Sequence, residues 1–165
     1  MSNLEHWRLY KIFADKCTSE SMSDFKTYVK MVCENGIALS KSIILTFPNF
    51  TLHDETHIHN VCEWMVKLLG DPRDESLTAN EAAMLLISAC CHDVGMAVSK
   101  KQRKDLIQGM TEEYLPTSWE EYFNKYSQDF EKRNDEQDRI LKNYVRVNHH
   151  KRIEEQEIWR DELDS

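Results

Sequence analysis

The sequence predicts an all-α fold, a compact bundle of five to eight helices. Three observations point there. Only four Gly and three Pro occur in 165 residues, too few for the turns of an all-β sandwich. Apolar residues recur at three-and-four spacing through most of the chain. One segment, from Ala79 to about Val94, is apolar nearly all round, as expected of a helix at the centre of a bundle.

The elements follow in order. Leu4 to Cys17 has a moderate helical pattern through Leu4, Trp7, Ile12 and Phe13. Ser23-Asp24 is placed to cap a second helix running from about Asp24 to Phe47, and Pro48 ends it because proline disfavours a helical residue before it. After the loop Asn49-Phe50-Thr51-Leu52, a helix beginning near Leu52 reaches Leu69, with Ile58, Val61, Cys62, Met65, Leu68 and Leu69 on its stripe. Gly70, Asp71 and Pro72 stop it. Thr78-Ala79-Asn80-Glu81 reads as a capping box for the central helix. Lys100 to Lys104 is a basic stretch, either a solvated turn or a contact for phosphate. Glu112 to Asp138 is polar with aromatic interruptions, read as packing residues around a shorter helix and a loop. A last helix runs from about Glu136 to Leu163. The chain is expected to be one domain, with N-terminal helices over residues 1–50 and a functional core over residues 51–155.

Composition limits function. The chain is 41% hydrophobic and 30% charged, with a net charge of −8; that balance argues against a general nucleic-acid binder, since phosphate neutralisation needs surplus Lys and Arg. Five cysteines without a CxxC are expected to be free thiols of a reducing, cytoplasmic compartment. No apolar run approaches a membrane span, so no membrane partner is expected.

The histidines are distributed unevenly. His53, His57 and His59 lie upstream of His92-Asp93, and His149-His150 lie downstream. His53 and His57, four apart, share a face if the helix begins near Leu52. His59 lies about 200° round from His57 and should face away. His92 and Asp93 are adjacent and can serve one ion only if the helix ends there, an opportunity offered by Gly95. Imidazole and carboxylate with open positions suit a catalytic divalent ion such as Mn, Fe, Co, Ni, Zn or Mg, in one or two copies. His149 and His150 pose the same question of facing, and are either ligands or a solvated helix face.

These stretches resemble the HD superfamily of metal-dependent phosphohydrolases. Thr51-Leu52-His53-Asp54-Glu55-Thr56-His57 is similar to its first motif, and Cys91-His92-Asp93-Val94-Gly95-Met96 to its namesake motif. The resemblance covers roughly residues 45–155 and implies His57, His92 and Asp93 as metal ligands. It implies His53 as the acid that protonates a leaving group, the alternatives being a capping or supporting residue. Asn148-His149-His150 resembles the paired histidines that hold a second ion in HD-GYP-like branches. Those enzymes carry a lysine where this chain has Met96; Lys100, Lys101 or Arg103 can substitute as substrate contacts. The family takes a last Asp from a further helix. Asp135, Asp138, Asp161 and Asp164 do not clearly supply it, which implies a truncated domain lacking a C-terminal part or a partner chain. The layout most resembles HD domains beside chaperone-type ATPase domains. The resemblance therefore implies a phosphohydrolase acting on a small phosphoester, plausibly a nucleotide. The alternative is a non-catalytic interaction or sensory module with an incomplete metal site.

Overall fold

The computed structural model describes residues 3–48, 54–70, 76–108, 119–126 and 133–153. Among them every regular element is helical. A 3-10 turn, Leu4–His6, leads through the extended residue Trp7 into α1 (Arg8–Lys16). Next come α2 (Ser23–Ser40) and the single turn α3 (Ile43–Thr46). The helix α4 (Glu55–Leu69) and the central α5 (Ala79–Cys91) follow, and a 3-10 turn, Val94–Met96, succeeds α5. The chain continues through α6 (Lys100–Ile107), α7 (Trp119–Tyr126) and α8 (Arg133–Arg152).

Local chemistry explains where most helices begin and end. Asp54 caps α4 by accepting from the His57 N–H at 3.0 Å. Gly70, at φ 73, closes α4 in a conformation that favours glycine. The Thr78 side chain accepts from the Glu81 N–H, and the Glu81 carboxylate accepts from the Thr78 N–H, completing the expected box. The same device, Ser99 with Gln102, opens α6. The basic stretch from Lys100 to Lys104 is therefore the body of a helix and not a turn.

The expected helix from Asp24 to Phe47 is divided. Ser40 donates its hydroxyl to the Gly36 carbonyl at 2.9 Å, and Ser42 donates to that of Leu39 at 2.7 Å. Such side-chain bonds compete with the helical ladder and favour a bend. The chain turns at Lys41-Ser42. Two further boundaries shift: α4 starts at Glu55, not near Leu52, and α5 ends at Cys91. The last helix begins at Arg133, and residues 154–165, where it was expected to continue, lie outside the described residues.

Helices α1, α2 and α4 surround α5. Ala82, Ala83, Ala89 and Cys90 keep α5 slim where they pack, and Leu9, Phe13, Val32, Ile37, Ile58 and Leu86 fill the space between. Each large apolar side chain buried in this way contributes roughly 1.5–3 kcal/mol. Met84 is an exposed large apolar side chain on α5, at 69%. A second cluster joins Ile43 and Phe47 to Met96, Leu106, Tyr122, Ile140 and Tyr144. The two cores meet at the end of α5, where Val94 belongs to the first and Met96 to the second. No single helix among the described residues is long and apolar enough to cross a membrane.

Candidate metal centre

Two helices deliver the site. His57 stands in the first turn of α4, and His92-Asp93 follow the last turn of α5. The start of one helix meets the end of the other at these residues. Their ring centroids at His57 and His92 are 5.5 Å apart. Candidate donor atoms of His57, His92 and Asp93 all lie within 4.8 Å of one another.

Adjacent residues converge here because the helix stops between them and the chain beyond. His92 keeps helical torsions (φ −56, ψ −32), and Asp93 moves to φ −110, ψ 1 before the 3-10 turn. Gly95 is not the left-handed cap suggested by its position. Among the described residues only Gly70 has positive φ. Gly95 is required for space instead: a Cβ there would lie 1.8 Å from the His149 carbonyl oxygen.

The ring of His92 is oriented from both sides. Nδ1 lies 3.0 Å from the Ala89 carbonyl oxygen and Nε2 lies 2.7 Å from Asp93 Oδ2. When Nδ1–H donates to Ala89, Nε2 either carries a proton that it donates to Asp93 or offers its lone pair to a cation, the arrangement that fixes a ligating imidazole. The Asp93 hydrogen bond is the main reason the His92 pKa is raised; burial opposes it and the Ala89 carbonyl adds to it. The carbonyl end of α5 carries partial negative charge that favours a cation at this point.

The donor set fits a divalent ion of the borderline or hard kind, with two imidazoles, one carboxylate and room for further ligands. The neighbouring thiols do not compete. Burial pushes Cys62 and Cys91 up to about 12, and Cys90, hydrogen-bonded to Cys33 and buried, is raised well above its ordinary value. They remain protonated core residues.

The other candidates are placed as follows. His59 turns to the opposite side of α4, with its ring centroid 5.2 Å from that of Trp7 and Nε2 3.7 Å from Glu63. His149 directs Nδ1 to the Arg146 carbonyl at 2.7 Å, and its ring meets His150 at 5.9 Å. Neither belongs to the convergent set of His57, His92 and Asp93. Lys100 is exposed at the first position of α6. Arg103 is bound to Asp138 at 2.7 Å, and Asp138 also holds Lys142 at 2.7 Å. Asp138 is thus committed to two cations of α6 and α8. His53, Asp161 and Asp164 lie outside the described residues.

One contributor was not anticipated. Arg152, fully buried, donates from Nη1 to the carbonyls of Gly95 and Ala97. Its sequence context, at the basic end of a polar helix, resembles a solvated charge and gives no signal of burial.

A family model, HD-CE, matches residues 47–164. No curated protein and no solved structure matches the chain. The match spans well over half of the sequence and includes both helices that carry the donor atoms, and the chain belongs to the HD-CE family of HD-type domains.

Proposed function

We propose that this chain is a metal-dependent phosphohydrolase that cleaves a phosphoester, with nucleotides the first substrates to try. The convergence of the His57, His92 and Asp93 donor atoms within 4.8 Å supports this reading most directly. His57, His92 and Asp93 would hold a divalent cation, which would polarise a phosphoryl oxygen and lower the pKa of a coordinated water. The chain's own residues do the rest. His57 and His92 supply neutral nitrogens, and Asp93 supplies the charge. The Ala89 carbonyl holds the His92 tautomer. In this proposal His53 gives its proton to the departing oxygen. Lys100 is free to turn toward a phosphate, whereas Arg103 must exchange Asp138 for one. His149 and His150 are the proposed holders of a second ion.

The test begins with the metal content of the purified chain, then hydrolysis of bis(p-nitrophenyl) phosphate and nucleotides with Mn or Ni. One ion per chain or more is expected, with hydrolysis that depends on it. His57→Ala, His92→Ala and Asp93→Ala should lose both. His59→Ala, on the other face of α4, should keep both. His53→Ala should keep the metal and lose turnover, and His149→Ala with His150→Ala should reduce two ions to one if a second is held. A chain that stays metal-free, inactive and equally folded in chelator would favour the interaction or sensory module instead.

A further inference from the structure

The geometry points to Arg152 as a positioning residue of the metal centre, holding from α8 the turn on which Asp93 stands. This inference rests on the reading of His57, His92 and Asp93 as ligands. It concerns a residue far away in sequence that is not in the donor set.

A buried guanidinium is costly unless its protons are used. Arg152 is 0% exposed, and it spends Nη1 on two carbonyls of one short segment, Gly95 and Ala97. That segment is the 3-10 turn and the residue after it. Carbonyls at the end of a helical turn lack partners within the turn, so a charged donor is matched to them. The turn in turn grips Asp93, because the Met96 N–H donates to the Asp93 carbonyl at 2.8 Å. The Ala97 N–H donates to Val94 at 3.0 Å and closes the same turn.

A second contact comes from one helical turn earlier on α8. The His149 backbone lies so close to Gly95 that no side chain fits between them. Residues three apart share a helix face, so His149 and Arg152 press on the turn together. One makes a steric stop and the other a charged clasp. The Asp93 carboxylate is thereby kept facing His92 Nε2, from which it is 2.7 Å distant. In this arrangement α8 acts on the ion through the backbone of residues 94–97.

The test uses the full chain with Arg152→Met and Arg152→Lys, and two readouts. The first is amide hydrogen exchange of Met96 and Ala97 without added metal. Arg152→Met should speed exchange at these two amides beyond any change at the amides of α1 and α2. The second is Ni titration by calorimetry well below the melting temperature. Loss of a group that orients ligands weakens metal binding by roughly 10–100-fold, and that loss is expected for Arg152→Met, with Arg152→Lys between it and the parent. If Arg152→Met does not fold, Arg152→Lys carries both readouts. Exchange that rises equally everywhere, or Ni affinity unchanged while the melting temperature falls, would reduce Arg152 to a packing residue and overturn the inference. Equal Ni binding by the parent and by His92→Ala, or none by either, would overturn the ligand assignment, and the exchange result would still judge the hold of Arg152 on the turn.

Discussion

On the proposed reading of the site, a proton and a divalent cation compete for one nitrogen of His92. The Asp93 carboxylate accepts from the charged ring, and this raises the His92 pKa above its ordinary value of 6.5. The sign of the pH dependence follows from that. In chelator, the stability gained from the His92–Asp93 bond is fully present below the unfolded pKa and is lost as pH rises through the higher folded pKa. Cation binding runs the other way, because the nitrogen must give up its proton. Calorimetric affinity for Ni or Mn should therefore weaken on acidification, by about tenfold per pH unit once His92 is protonated. A profile that is flat across the raised pKa would show that the ring does not bind the ion. Geometry at this scale was partly legible in the sequence. The facing-apart of His57 and His59 follows from helical periodicity alone. The use of Asp93 depended on where α5 stops, which is a property of the next element. Arg152 was illegible, because nothing local distinguishes a buried guanidinium from a solvated one.

The helices were legible where their ends are set by neighbours in sequence. Thr78 with Glu81, and Gly70 before Pro72, mark real boundaries because each cap is a contact within one turn. Ser99 with Gln102 is an equally local signal, obscured by the basic residues that follow it. The break at Lys41-Ser42 was not legible, since a serine that bonds back to the ladder looks like any helical serine. Close approaches between elements were hidden too. Gly36 sits in the middle of α2, where it costs the helix roughly 1 kcal/mol relative to Ala. It is there because α5 passes against it: a Cβ would meet the Cys90 carbonyl oxygen at 2.7 Å and Cys91 Sγ at 2.9 Å. Gly36→Ala should therefore destabilise the chain despite better helix propensity, by about 1–3 kcal/mol as overpacking usually does. Chemical denaturation measures this. An increase in stability would mean that α2 and α5 are not packed this closely. Because the obstructing atoms belong to the residues before His92, the same variant should also bind metal more weakly.

Across the whole molecule, the candidate centre stands at the seam of two cores. Val94 closes the cluster built by α1, α2, α4 and α5, and Met96 opens the one built around α8. His92 and Asp93 are the residues that lead into that seam. One tie across it from α8 is the pairing of His149 and Arg152 with residues 95–97. A cation held by α4 and by the chain just before the seam would then stiffen the joint as well as the site. An ion that binds the folded chain alone adds about 2.7 kcal/mol at a hundred times its dissociation constant. For a chain of this length, 1 kcal/mol corresponds to roughly 2–4 °C of melting temperature. Saturating Ni or Mn should thus raise the melting temperature by about 5–11 °C. His92→Ala, measured beside it, should show no rise. The location of the stiffening is also specified: amide exchange should slow most at Met96 and Ala97, on the far side of the seam from His57, and less at the amides of α1. A melting shift that survives in His92→Ala, or protection confined to α4, would place the ion elsewhere and uncouple it from the junction of the two cores.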